Sequence, residues 1–150
     1  SRIKSINVYD KFEEMAFEGM SVVLTLTDDI DISRGDMIVK SNNLPEITQD
    51  LSAMICWFNE NPARDRAKYT LKHTSNEPKA MIKEIEYKVN IDTLKRMAED
   101  KQIHMNDICK VKIRTTAPIM MDDYAKNRKT GSFILIDDAT NETVAAGMLF

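Results

Sequence analysis

A chain of 150 residues, 43% hydrophobic and 30% charged, has the length and composition of one ordinary globular domain, or of one domain plus part of another. Its apolar runs fall far short of the roughly 20 residues a helix needs to cross a bilayer, so no membrane association is expected. A formal charge of −3 argues against a general nucleic-acid-binding surface.

The chain opens Ser1-Arg2-Ile3-Lys4, without Met and already in alternation, which suggests a segment of a larger protein. No signal peptide is visible, and a cytoplasmic location is expected. Arg2 to Val8 alternates polar and apolar residues, the pattern of a strand with one buried face. Acidic residues between Lys11 and Gly19 suggest a short helical turn, and Ser21 to Leu26 is a second strand rich in β-branched residues. Gly35 predicts a tight turn before a short strand over Met37-Ile38-Val39. Lys40 to Pro45 has linker composition and marks a domain boundary, which divides the chain into residues 1–40 and 44–150.

Beyond the boundary, Asp50 to Phe58 places Leu51, Ala53, Ile55 and Trp57 on one parity and Met54, Cys56 and Phe58 on the other. That pattern predicts a strand buried on both faces, with Cys56 and Cys109 as buried reduced thiols. Asn59 to Arg66 reads as a polar loop and Lys68 to His73 as a half-exposed strand. Met81 to Val89 alternates, with the odd-numbered positions predicted to face inward. Ile91 to Asp100, with Asn90 or Asp92 placed as a cap, predicts a short helix. Ile108 to Thr115 is an alternating strand that Ala117-Pro118-Ile119 extends as an edge. Ser132 to Ile136 and Thr143 to Leu149, joined by Asp137 to Glu142, form a hairpin. Four consecutive apolar residues, Phe133 to Ile136, suggest burial on both faces, whereas Val144 to Gly147 have little bulk and allow close backbone approach. About six strands after Pro45 with almost no helix indicate an all-β barrel or sandwich.

Short motifs yield no catalytic set. Arg34-Gly35-Asp36 spells an adhesion tripeptide but sits without a secretory signal or disulfides, and reads as a turn. Lys129-Thr130-Gly131 lacks the partner motifs of penicillin-recognising enzymes, and no G-x-x-x-x-G-K-[ST] phosphate loop is present. His73 and His104 are far apart in sequence, so a zinc site is not expected. The acidic group Asp28, Asp29, Asp31 and Asp36 lacks calcium-loop spacing, and Asp122 beside Asp123 has no activating neighbour. The period of a strand puts Lys110, Lys112 and Arg114 on one face, where they form a solvated face, a stripe for an acidic partner or, less in keeping with the charge, a contact for a phosphate backbone.

The runs DDIDISRGDMIV (28–39), MICWF (54–58), KYTLK (68–72), Ala117-Pro118-Ile119 and NRKTGSFILIDDATNETVAAGM (127–148) together resemble the large, GTPase subunit of bacterial sulfate adenylyltransferase, over essentially the whole chain. That family is similar to elongation factor Tu. The resemblance implies that residues 1–40 end a partial second β-barrel and that residues 44–150 form a Greek-key barrel like the third domain of elongation factor Tu. It further implies that GTP and magnesium belong to a G domain outside this chain, that the chain itself holds no cofactor, and that its role is docking and coupling. The implied partners are the parent's G domain and the small adenylyltransferase subunit, in an enzyme making adenosine 5′-phosphosulfate from ATP and sulfate. Lys110, Lys112, Arg114, Asn127, Arg128 and Lys129 are the candidate contacts. The alternative is a translation-factor-like module binding tRNA. Unpaired strand edges in residues 1–40 could also drive self-association.

Overall fold

A computed structural model describes residues 1–64 and 66–150. Asp65, within the loop expected over Asn59–Arg66, lies outside the described residues. Contacts divide the chain into a unit of Ser1–Asp36 and a unit of Met37–Phe150.

The first unit is an antiparallel sheet of β1 (Ile3–Val8), β2 (Lys11–Glu13) and β3 (Val23–Leu26), with β1 in the middle. The helical turn expected after Lys11 is instead this short strand, because Tyr9 adopts φ +53° and turns the chain tightly enough for Val8 to pair with Lys11. None of the unit's residues is buried, and Tyr9, Phe12, Met15 and Phe17 stand largely in solvent. Gly35, at φ +109°, makes the expected turn in Arg34-Gly35-Asp36, where the Asp36 carboxylate accepts from the Ser33 N–H at 2.8 Å. Met37-Ile38-Val39 is not a strand.

The second unit contains β4 (Glu46–Trp57), β5 (Lys68–Lys72), β6 (Lys79–Val89), β7 (Arg96–Met97), β8 (Ile108–Met121), β9 (Ser132–Asp137) and β10 (Thr143–Leu149). The sheet order is β5-β9-β10-β4-β8-β6-β7, and a further β5–β6 pairing closes six of the strands into an antiparallel ring. Because β8 is separated from β9 in the ring while the β9–β10 hairpin returns to β4, the connectivity is that of a Greek key.

Inside the ring, Leu51, Ala53, Ile55 and Trp57 of β4 meet Val111 and Ile113 of β8, Tyr69 and Leu71 of β5, and Phe133 and Leu135 of β9. Trp57 and Tyr69 pack edge to face with centroids 5.7 Å apart, and the Trp57 indole N–H donates to the Asn61 carbonyl at 2.9 Å. Each such large side chain contributes about 1.5–3 kcal/mol by leaving water.

Several expectations about faces are corrected. In β4 only the Leu51–Trp57 parity is buried; Met54 is half-buried, and Cys56 and Phe58 are exposed on the outer wall. In β9 Phe133 and Leu135 point inward, while Ile134 and Ile136 lie half-buried outside. In β6 the odd positions do not face inward throughout. Register shifts between Ile82 and Glu84 and between Ile85 and Tyr87 change the inward parity, so that Ala80, Ile82, Ile85 and Lys88 turn to the core. A further shift between Thr143 and Ala145 lets Val144 and Ala145, adjacent in sequence, both be buried.

No helix forms over Ile91–Asp100. The Asn90 side chain does cap, accepting from the N–H groups of Asp92 and Thr93, but Leu94 then takes φ +56° and the chain reverses into β7, which pairs back on β6. Ala117–Ile119 extends β8 as expected: pairing with β6 ends at Thr115, while β4 follows β8 as far as Met121. Among the described residues, no helix is long and apolar enough to cross a membrane.

Candidate functional site

The outer wall of the ring has two chemically different faces. On β8, Lys110, Lys112 and Arg114 project together as the period of 2 requires, and each meets an acid on a neighbouring strand. The Lys110 ammonium lies 3.0 Å from the Glu86 carboxylate, and the Lys112 ammonium lies 2.9 Å from Glu84 and 3.7 Å from Glu86. Arg114 pairs with Asp50 and also donates to the Gln49 side chain at 3.1 Å. Hydrogen bonds from Lys110 hold the Glu86 carboxyl below the usual range, and the hydrogen bond to Glu84 raises the Lys112 ammonium. The stripe is therefore a ladder of alternating charge, with the acids of β4 and β6 neutralising the cations of β8.

Where β4, β10 and β9 run side by side, a cluster of outward side chains is apolar instead. Met54 and Cys56, Ala146 and Met148, and Ile134 line an open groove of about 570 Å³, with Lys72, Tyr124 and Lys129 also among the residues that form it. β10 runs along its floor because Ala146 carries so little bulk. Gly147 faces inward opposite Phe133, whose ring occupies the space a Cβ would need. The small residues read from the sequence thus serve both sides of the wall: Gly147 admits an aromatic ring inside, and Ala146 leaves a depression outside.

Asn127, Arg128 and Lys129 belong to the turn between β8 and β9, a separate place from the stripe. The turn is tightly specified. The Asp123 carbonyl accepts from the N–H of Asn127 at 3.0 Å, the Asn127 side chain accepts from the Lys129 N–H at 3.1 Å, and the Asn127 carbonyl accepts from the Gly131 N–H at 2.8 Å. A Cβ at Gly131 would lie 2.6 Å from the Tyr124 nitrogen and 2.8 Å from the Asn127 oxygen, so only glycine fits where the turn folds back. Asn127 therefore organises the backbone, while the Arg128 guanidinium sits 5.9 Å from the Tyr124 ring centroid. Thr130 ties the turn to its surroundings: its hydroxyl donates to Asp122 at 2.6 Å, and its carbonyl accepts from the fully buried His73 Nε2–H at 2.7 Å. The other ring nitrogen, Nδ1, is buried and has no hydrogen-bond partner among the described residues.

A third polar arrangement, not foreseen from the sequence, closes one end of the ring. Lys88 has only 3% of its side chain exposed and meets Asp100 at 2.6 Å and Asp107 at 2.7 Å. Burial pulls its ammonium down, but hydrogen bonds to Asp100 and Asp107 outweigh that, and its pKa stands above the ordinary lysine value. The same hydrogen bond from Lys88 holds Asp100 below its ordinary value. These contacts fasten the loop 98–107, whose Ile103 is sealed in the core and whose Ile103 carbonyl accepts from the Ala63 N–H at 2.9 Å. A lysine between alternating apolar residues gives the sequence signal of a solvated position; only the bulges of β6 turn it inward.

The two thiols have different environments. Cys109 is buried on β8, where burial pushes its thiol up to about 12. Cys56 is exposed within the groove, which corrects the expectation of two buried thiols. Among the described residues no three His, Cys, Asp or Glu side chains come together as a metal-binding group.

Comparisons with known proteins place this barrel. A family model described as GTP-eEF1A C-terminal domain-like matches residues 50–149. The bifunctional enzyme CysN/CysC of Mycobacterium tuberculosis is 45% identical over 138 residues, covering 89% of this chain and 22% of that protein. The protein of the same name from Rhodopirellula baltica is 42% identical over 149 residues, covering 99% of this chain and 23% of that one. Sulfate adenylyltransferase subunit 1 of Bacteroides thetaiotaomicron is 38% identical over 157 residues, covering 99% of this chain and 32% of that subunit. The chain thus spans between a fifth and a third of the length of these relatives. The crystal structure of sup35 complexed with GDP superposes with a TM-score of 0.77 at 19% identity, covering 98% of this chain and 36% of that one, and shows the shared fold. The likeness to sulfate adenylyltransferase large subunits read from the sequence is borne out by these identities. A closed six-stranded ring and a family match running from Asp50 to Leu149 agree: the chain belongs to the GTP-eEF1A C-terminal domain-like family.

Proposed function

We propose that this chain is the barrel region of a sulfate adenylyltransferase large subunit and works as a docking and coupling module rather than as a catalyst. The observation that supports this most directly is an identity of 38–45% to enzymes of that name over nearly all of the chain. In this reading GTP and magnesium are held by a G domain outside the chain, and residues 1–40 are the last part of a second barrel. The unit of residues 44–150 bears on the G domain and on the small, adenylyl-transferring subunit of a cytoplasmic enzyme. The candidate contacts fall into two groups. Lys110, Lys112 and Arg114 are already matched by acids, so a partner there would have to exchange with Glu84, Glu86 and Asp50. Asn127, Arg128 and Lys129 stand in a turn next to the apolar groove, and this second group fits a contact surface better.

A pull-down tests the proposal. The chain should retain the small subunit, and Arg128→Glu should weaken retention more than Lys112→Glu. Salt-sensitive retention of tRNA with no retention of the small subunit would overturn the proposal. So would pyrophosphate release from ATP and sulfate by this chain alone.

A further inference from the structure

We infer that the groove along β10 is the seat of the partner polypeptide, and that the segment entering it is apolar with a carboxylate at one end. The inference rests on the docking reading above and goes further by naming the surface and the chemistry of its occupant.

Three observations carry it. Outward positions on adjacent strands of a barrel are expected to be polar, and on β6 and β8 they are, as Glu84, Glu86, Lys110 and Lys112. On β9, β10 and β4, by contrast, Ile134, Ala146, Met148, Met54 and Cys56 stand side by side as one contiguous apolar patch. The patch is also concave, since Ala146 leaves its floor low between flanking side chains, and the two methionines that edge it are flexible enough to fit an incoming surface. Finally, the groove's charge has one sign. Among the described residues no carboxylate lines it, whereas Lys72 and Lys129 both do. Lys72 is held 3.1 Å from Glu77 with nearly half of its side chain exposed, a pairing that an incoming carboxylate can replace at little cost.

The closed ring decides how the occupant binds. β4, β9 and β10 are each paired on both sides, so a partner cannot enter by adding a strand and must insert side chains. An apolar segment laid over Ala146 and Met148, with its acid reaching Lys72 or Lys129, satisfies both the shape and the charge.

Cys56 provides the test, since it is exposed in the groove while Cys109 is sealed and serves as the internal control. Alkylation by N-ethylmaleimide would be followed by mass spectrometry on this chain, alone and with saturating small subunit, alongside a pull-down. The expected result is a slowing of Cys56 alkylation by at least about tenfold on binding. Met148→Glu should lose both retention and protection, while Lys83→Glu, on the exposed part of β6, keeps both. Should Met148→Glu expose Cys109, Ala146→Gln fills the groove without adding charge and should act in the same way. Retention of the small subunit with Cys56 alkylated at the free rate would overturn the groove and leave the docking reading standing. Absence of retention would overturn the docking reading, and the groove's assigned occupant with it. Protection that grows with the concentration of this chain alone would assign the groove to a second copy and overturn the proposed partner.

Discussion

The ring of Phe133 lies across Gly147 on the neighbouring strand and fills the space that a side chain at position 147 would need. The contact is between a backbone and an aromatic ring, so neither element yields easily. Gly147→Ala is expected to destabilise the barrel by about 1–3 kcal/mol through overpacking. Phe133→Leu should also destabilise, but the double variant should recover part of the loss, because the smaller side chain vacates the space the new methyl enters. Urea unfolding of the four proteins measures the coupling; strictly additive effects would contradict it.

Lys88 holds the loop 98–107 through two carboxylates, and the loop should loosen when either is removed. Asp107→Ala deletes the acceptor for both the Lys88 ammonium and the His104 N–H, and should cost about 1–3 kcal/mol. Lys88→Met should cost less, since the carboxylates it leaves behind are partly open to water. Hydrogen exchange at the Ala63 amide, which donates to the Ile103 carbonyl, reads the loop directly and should rise in both variants.

The same pair fixes a pH dependence. Lys88 is raised in the folded state, so its contribution is complete below the ordinary lysine value of about 10.4 and is lost as pH climbs through the raised value. Asp100 is depressed, so its contribution is present above the ordinary aspartate value of about 3.9 and is lost as pH falls through the lower one. Protection of the Ala63 amide, corrected for intrinsic exchange, should be flat between these limits and decline outside them. In Lys88→Met the alkaline decline should vanish.

Leu94 holds φ +56° with most of its side chain in solvent, a conformation that costs a leucine more than it costs asparagine. Leu94→Asn should stabilise the protein by about 0.5–1 kcal/mol, and thermal unfolding will show it as a raised midpoint. Asn90→Ala should act in the opposite direction, because it removes the acceptor for the backbone of Asp92 and Thr93.

One thiol should react in the native protein and two in denaturant. Cys56 is accessible, while Cys109 is buried with its thiol raised to about 12, so it offers almost no thiolate at neutral pH. Titration with Ellman's reagent checks the count, and two fast thiols under native conditions would refute the placement of Cys109.

Much of this architecture was readable from side-chain periodicity, and each failure has its own physical cause. The β9–β10 hairpin was legible because Ser132–Ile136 and Thr143–Leu149 are strand-like runs separated by a loop of Asp, Asn and Thr. The facing of Ile82, Ile85 and Lys88 was not, because bulges shift the register of β6 and leave no mark in its composition. Met54 and Cys56 suggested burial because apolar side chains on an outer wall and in a core look alike in one dimension. Asn90 carried a real capping signal, yet the same three-residue geometry also starts a turn, and the pairing of β7 with β6 decided between them. Of the candidate contacts, the stripe on β8 was visible from its spacing, whereas the acids that neutralise it come from other strands and could not be paired with it in advance.

The seam between β5 and β6 rests on three residue pairs, Lys68 with Met81, Tyr69 with Ala80, and Thr70 with Lys79. It is the shortest join in the ring, and it lies across the barrel from β10. A wall that meets itself has one place where it can part, and here one side of that place is β5, whose Lys72 also edges the groove. Breathing at the seam would let the core exchange with solvent, and it would carry Lys72 at the edge of the groove with it.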